Sequence, residues 1–226
     1  MQDLGPLEAA LGYQYSNGAL LREALSHRSA GARNYERLEF LGDGLLNFVI
    51  ASALFQQHPE LDEGSLSRLR ASLVRESTLA EIARSIKLGD YLVLGRGELR
   101  SGGFKRDSIL SDVIESLIGA CFVESGFSRA ETLVLGLFET RLKNLPEAQT
   151  LKDPKTLLQE WLQGQRLERP NYSVINTQGK AHALQFTVRC EIASHELCIE
   201  ATAQSRRKAE QMAAADALNQ LKSDSA

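Results

Sequence analysis

Through the first 145 residues apolar side chains recur every three or four positions, the period of one α-helical face, and breaks carrying Gly, Asn or Pro at 12–18, 58–64 and 95–103 separate the runs. The pattern predicts helices over roughly 18–25, 36–57, 65–73, 77–86, 105–124 and 128–144, with no alternating strand signal among them. Residues 146–152 are polar and led by Pro146, as a linker would be. Asp153-Pro154 then has the form of a helix start, with Asp as the cap and Pro in the first turn, and the helix is expected to run to about Gln163 before Gly164. Runs at 171–177, 183–192 and 195–203 are rich in Val, Ile, Thr, Phe and Tyr and read as strands. Ser205 opens a last helix to about Leu221. The expected fold is multi-domain: an all-α domain over 1–145, a linker over 146–152, and a small α+β domain of α-β-β-β-α order over 153–222.

Composition changes this picture little. The 226 residues, 43% hydrophobic, suffice for one or two cores. No apolar run is expected to approach the ~18 residues of a spanning helix, and Asp3, Pro6 and Glu8 occupy an N-terminus with no signal-peptide character. No membrane association is expected, and the expected location is cytoplasmic. Cys121, Cys190 and Cys198 lack C-x-x-C spacing, so neither a disulfide framework nor a zinc site is indicated. The net charge of −3 argues against a general polyanion binder, but it is uneven: 1–149 holds 16 basic and 20 acidic residues, 150–226 holds 10 and 9.

The acids converge in two places. In Glu36-Arg37-Leu38-Glu39-Phe40-Leu41-Gly42-Asp43, a helix at 100° per residue puts Glu36, Glu39 and Asp43 within about a 60° arc, opposite Leu38, Leu41 and Leu45. In Asp112-Val113-Ile114-Glu115 the two acids again share a face, on a helix apolar enough to be largely buried. Solvated helix faces are the ordinary explanation of such stripes. Acids on a buried helix, however, need a partner charge, and Arg or Mg²⁺ are the candidates. Oxygen donors without His or Cys favour Mg²⁺ or Mn²⁺ over zinc.

The run 36–43 resembles the signature of the ribonuclease III family, and Asp112–Glu115 resembles the second acidic motif of its nuclease domain. Leu25-Ser26-His27-Arg28-Ser29, Asp62-Glu63-Gly64, Gly97-Glu98-Leu99, Ser101-Gly102-Gly103-Phe104 and the C-terminal region follow in the family's order. The resemblance implies that Glu39, Asp43, Asp112 and Glu115 bind metal, with Asp43 and Glu115 the most critical for cleavage. Glu36 and Glu63 match acidic positions of less settled role. It also implies an all-helical, homodimeric nuclease domain whose two sites cut opposite strands. Two positions depart from the signature: Tyr35 stands where Asn is usual, and Gly44 where Ser is common. Phe40 projects about 40° from Glu36 on the acidic side, and is either a core aromatic at a stripe edge or, as the resemblance implies, a subunit contact. His27 is a tempting acid–base candidate, but a structural hydrogen-bonding role is the plainer reading.

Ser205-Arg206-Arg207-Lys208-Ala209-Glu210 places three cations in the first turn of a helix, where the macrodipole disfavours them. Together with free N–H groups they form a phosphate site, unless the run is simply solvated. With the α-β-β-β-α order this resembles a double-stranded RNA-binding domain. The resemblance places Gly179-Lys180-Ala181-His182 at a minor-groove loop, and Gln159, Glu160 and Gln163 against 2′-hydroxyls of the neighbouring groove. Glu210 stands where a third basic residue is often found.

The function implied is Mg²⁺-dependent hydrolysis of double-stranded RNA, with Mn²⁺ able to substitute, leaving 5′-phosphate and 3′-hydroxyl ends and short 3′ overhangs. Expected substrates are rRNA precursors and structured mRNA and tRNA transcripts. Expected partners are double-stranded RNA and a second copy of the chain, with no small-molecule cofactor. The alternative is a catalytically inactive RNA-binding regulatory dimer, against which the presence of all four matched acids weighs.

Overall fold

The computed structural model describes residues 3–179 and 183–224. The chain divides into two compact units, Met1–Leu151 and Lys152–Ala226.

The first unit contains α1 (Gly5–Leu11), α2 (Gly18–Ala24), α3 (Glu36–Gln57), α4 (Glu63–Val74), α5 (Glu76–Ser85), α6 (Arg96–Arg100), α7 (Asp107–Ser125) and α8 (Phe127–Lys143), linked by short 3-10 turns. The six helices expected from periodicity are present, with small shifts at their ends. Two were not foreseen. α1 starts with Pro6 in its first turn and ends at Gly12, whose φ of 66° suits glycine. α6 is a single turn inside the Gly-rich stretch, too short to show a period. Among the described residues of this unit the one sheet-like feature is an isolated parallel bridge between Ser26 and Val93.

α7 is the centre of this unit. Ile109, Leu110, Val113, Ile114, Leu117 and Ile118 are buried on more than one of its sides, against α2, α3, α5 and α8. Each contributes on the order of 1.5–3 kcal/mol by leaving water. α3 corrects one expectation. Residues 40–57 contain Asp43 as their only charge, so by length and composition this helix could cross a bilayer. In the fold it is instead a core helix: Leu38, Leu46, Val49, Ile50 and Leu54 are buried in the unit's core.

α3 and α7 cross with their backbones in contact. A Cβ at Gly42 would lie 1.8 Å from the carbonyl oxygen of Glu115, and one at Gly119 would lie 2.1 Å from that of Leu38. No side chain larger than hydrogen fits either position without separating the helices.

The second unit runs α9 (Pro154–Gly164), β1 (Asn171–Gln178), β2 (Gln185–Ile192), β3 (Leu197–Ala203) and α10 (Arg206–Asp224), with an antiparallel sheet of order β1-β2-β3. Val188 pairs with both Val174 and Ala201, and the β1–β2 register slips between Val174 and Asn176. β3 starts at Leu197 rather than His195 because Ala193–His195 form a 3-10 turn, closed by Glu196 at φ 51°. Leu158 and Leu162 of α9, Cys190 and Ile192 of β2, and Ala213, Ala214, Ala217 and Leu218 of α10 form the core. The alanines let α10 lie close to the sheet.

Candidate metal centre and nucleic-acid interface

The glycine crossing brings the two acidic stripes face to face. Carboxylate oxygens of Glu39, Asp112 and Glu115, one from each, lie within 4.8 Å of one another, and all three side chains are half-buried. Oxygens sharing one hard cation at about 2.1–2.6 Å lie up to about 4.2–5.2 Å apart. The cluster meets that span.

Its electrostatics are those of buried acids that repel one another. Burial first, then Asp112, Glu36 and Asp43, push Glu39 up to about 7. Burial, then Asp43, Asp112 and Glu39, push Glu115 up to about 8. Asp112 is also raised by burial, opposed by hydrogen bonds from Tyr35 and Ser111. Among the described residues no cation lowers Glu39 or Glu115. Three oxygen donors at this spacing, with no Cys or His among them, fit a hard divalent cation such as Mg²⁺.

Asp43, one helical turn beyond Glu39, is more exposed and stands outside the three-residue cluster. Its Oδ1 accepts from Nδ2 of Asn47 at 2.8 Å. Its charge still raises Glu115, so it lies near the cluster. Glu36 is exposed and lies 3.6 Å from a guanidinium nitrogen of Arg28. Glu63 is not brought to the cluster within this chain. It begins α4, accepts from Ser67 Oγ at 2.7 Å, and borders an apolar groove with Phe48 and Phe55.

Beside the cluster a cleft of about 490 Å³ is lined by His27, Arg28, Tyr35, Glu39, Arg106 and Asp112, among others. Arg106 is anchored to Glu98 at 2.7 Å. His27 is buried, and its Nδ1 accepts from the Ser29 backbone N–H at 3.1 Å, capping the turn Arg28–Ala30. That contact supports the structural reading of this histidine. Tyr35, read only as a departure from the signature, is buried and donates its hydroxyl to Asp112 Oδ2 at 3.2 Å.

Phe40 is not in the core: it is 83% exposed, and Phe48 and Phe55 on the same side of α3 are 60% and 70% exposed. A groove of about 500 Å³ runs past Phe40, Gly44, Phe48, Phe122 and Phe127. Sequence reasoning singled out only Phe40. The i, i+8, i+15 spacing of Phe40, Phe48 and Phe55, which clusters them within about 80° on a helix, was the available signal.

In the second unit Ser205 Oγ accepts from the Lys208 backbone N–H at 3.2 Å, and Arg206, Arg207 and Lys208 are exposed. Arg206 is engaged: its Nε donates to Glu210 at 2.8 Å, while Lys155 of α9 donates to the other oxygen of the same carboxylate at 2.7 Å. These hydrogen bonds hold Glu210 below the usual carboxylate range. Gln159 is half-buried and Gln163 exposed on α9, and Glu160 pairs with Lys152 at 2.7 Å. His182, with Lys180 and Ala181, lies outside the described residues.

Residues 17–141 match the family model described as Ribonuclease-III-like, and 154–221 match that of the double-stranded RNA binding motif. Ribonuclease 3 of Photorhabdus laumondii is 51% identical over 215 residues, spanning 95% of both chains. Ribonuclease 3 of Pasteurella multocida is 50% identical over 220 residues, spanning 97% of this chain and 98% of the relative. Among solved structures, the nuclease domain of ribonuclease III from Campylobacter jejuni is similar with a TM-score of 0.60 at 43% identity, covering 62% of this chain and 97% of that one. Another structure of that domain, described in terms of flexibility in a region involved in dimer formation, has the same TM-score of 0.60 and identity of 43%, covering 61% and 97%.

Proposed function

This chain belongs to the ribonuclease III family, and from that premise we propose that it cuts double-stranded RNA at a Mg²⁺ centre held by Glu39, Asp43, Asp112 and Glu115. It is an endoribonuclease with a helical nuclease domain followed by a double-stranded RNA-binding domain. We assign 1–145 to the first, 146–152 to the linker and 153–222 to the second. The reading is carried by one observation: three half-buried carboxylates are gathered where α3 and α7 touch.

When bound there, Mg²⁺, or Mn²⁺ in its place, supplies charge neutralisation at the phosphodiester and an activated water. The four carboxylates orient it, and Asp43 and Glu115 are the two on which cleavage depends most. Arg28 and Arg106 line the adjoining cleft and would meet the RNA backbone there in competition with their acid partners Glu36 and Glu98. Products carry 5′-phosphate and 3′-hydroxyl ends with short 3′ overhangs, and the substrates are rRNA precursors and structured mRNA and tRNA transcripts in the cytoplasm. A long RNA duplex and its single strand, each incubated with and without Mg²⁺, test this. Only the duplex with Mg²⁺ is expected to be cut. Binding without cutting would leave a regulatory RNA-binding protein, and cleavage in EDTA would remove the metal from the reading.

The working form is a homodimer joined through the exposed aromatic side of α3, since an apolar patch of this kind marks a protein contact. Phe40→Glu places a charge where an aromatic would be buried. The full-length variant is expected to sediment as a monomer at concentrations where the parent is a dimer; an unchanged dimer would move the interface elsewhere.

Phosphate contacts fall to Ser205, Arg206, Arg207 and Lys208, and minor-groove contacts to Gln159, Glu160, Gln163 and His182. Glu210 competes with RNA for Arg206 and Lys155. Glu210→Gln keeps a hydrogen-bonding side chain but removes the competing charge. Duplex affinity in Ca²⁺, measured by fluorescence anisotropy, is expected to rise severalfold, and the slope of log affinity against log salt to steepen by about one. Unchanged affinity and slope would mean that these two cations do not contact RNA.

A further inference from the structure

We infer that Tyr35 is a positioning residue of the metal centre, its hydroxyl holding the Asp112 carboxylate in the orientation that faces Glu39 and Glu115. The inference rests on the metal-centre reading above. Tyr35 sits at the N-terminal end of α3, where a side chain ordinarily caps free backbone N–H groups. It makes no such bond; Asn34 Oδ1 accepts from the Glu36 N–H at 3.0 Å instead.

The Tyr35 side chain is thereby released inward. It is 4% exposed, and its ring lies 5.7 Å from that of His27, which is itself pinned by Ser29. Burial restrains the ring, and the hydroxyl donates to Asp112 Oδ2 at 3.2 Å. A second side-chain donor among the described residues, Ser111 Oγ, stands at 3.5 Å from Oδ1 and is better placed on the Ser108 carbonyl at 2.9 Å. Rotation about the last bond of Asp is broad and weakly restrained by its own torsion. The Tyr35 hydroxyl on Oδ2, the nearer of these two donors, therefore biases the carboxylate plane and leaves Oδ1 the freer oxygen for a cation. Asn, the residue usual here in the signature, is a strong helix cap; in this chain that duty has passed to Asn34.

Outer partners of metal ligands typically matter by about 10–100-fold in affinity. Tyr35→Phe removes the hydroxyl and keeps the ring. Mn²⁺ titrated into the full-length protein without RNA, followed by electron paramagnetic resonance, is expected to bind the variant about ten-fold more weakly. Melting in EDTA is expected to fall only by the small cost of one lost hydrogen bond, whereas a merely structural role would lower stability and affinity together. In an Asp112→Asn background, Tyr35→Phe is expected to cause no further loss. Equal Mn²⁺ affinity in parent and variant, an EDTA-state melting temperature that falls in step with affinity, or an equal loss in the Asp112→Asn background would each overturn the assignment. A parent that binds no Mn²⁺ would overturn the metal centre itself.

Discussion

Glu115→Gln is expected to leave duplex binding intact and to slow cleavage by at least about 10²-fold, a loss of roughly 2.7 kcal/mol of transition-state stabilisation. Glu115 lies on the mostly buried α7, with an oxygen within 4.8 Å of oxygens on Glu39 and Asp112. Gln matches its shape and volume but offers the proposed metal a neutral donor. The cationic turn at Arg206–Lys208 is in the other unit, so binding is not expected to notice the change. Gel shift in Ca²⁺ and single-turnover cleavage in Mg²⁺ on one preparation read both halves. A variant that cuts at the parent's rate removes Glu115 from the catalytic set.

The same substitution has a stability signature with a definite sign. Glu39 and Glu115 titrate at about 7 and about 8 in the fold, against an ordinary 4.5. Between these values the folded state binds more protons than the unfolded chain. The stability tied to these groups is therefore full below about 4.5 and is lost as pH rises through 7 and 8. In EDTA the parent's melting temperature is expected to fall from pH 6 to pH 8.5, as a direct consequence of that linkage. Glu115→Gln is expected to flatten the fall and to melt above the parent at the upper pH, while Mg²⁺ restores more stability to the parent than to the variant. Parallel curves for the two proteins would show that Glu115 ionises without strain.

Gly119→Ala is expected to damage stability and cleavage together. Its new Cβ would meet the Leu38 carbonyl oxygen at 2.1 Å and the Gly42 backbone nitrogen at 3.2 Å. Both are helix backbone, so neither can yield as a side-chain tip would. Alanine adds up to about 1 kcal/mol of helix propensity, but overpacking of this kind costs about 1–3 kcal/mol and occasionally more, so the net effect is unfavourable. Separation of α3 from α7 carries Glu39 away from Asp112 and Glu115. A misplacement of about 1 Å at such a centre costs on the order of 10² in rate. Gly136→Ala on α8, where a Cβ would meet nothing within 4 Å, is the matched control and is expected to be neutral or slightly stabilising. Melting in EDTA and single-turnover cleavage of both variants suffice. Parent-like behaviour of Gly119→Ala would mean that the crossing has slack that these distances deny.

Much of this was legible before any coordinates. Helical periodicity identifies α3 and α7 because each places a long apolar side against neighbours, and a period needs only a few turns to declare itself. α1 and α6, at seven and five residues, were missed for the converse reason. The acidic residues were legible as stripes, since position on one helix is a local property. Their family resemblance carried Glu39, Asp43, Asp112 and Glu115 into one list; it could not say that Glu39, Asp112 and Glu115 form the tight trio while Asp43 stands more exposed.

What only the tertiary structure decided concerns relations between segments distant in sequence. Gly42 and Gly119 are unremarkable in a helical pattern, and each is explained only by the backbone of the other's helix. Tyr35 is a departure from a signature until its hydroxyl is found on Asp112, 77 positions away. Arg206 is a phosphate-binding candidate by sequence, but the fold also brings Lys155 to Glu210, making one shared carboxylate out of two separate charge signals. By itself the sequence determined which residues were apolar, which were acidic and how each repeated along its own helix or strand, because those periods follow from backbone geometry alone. Which acids meet, what holds them and which cations are already occupied depend on how closely helices approach, and that is decided by packing across the chain.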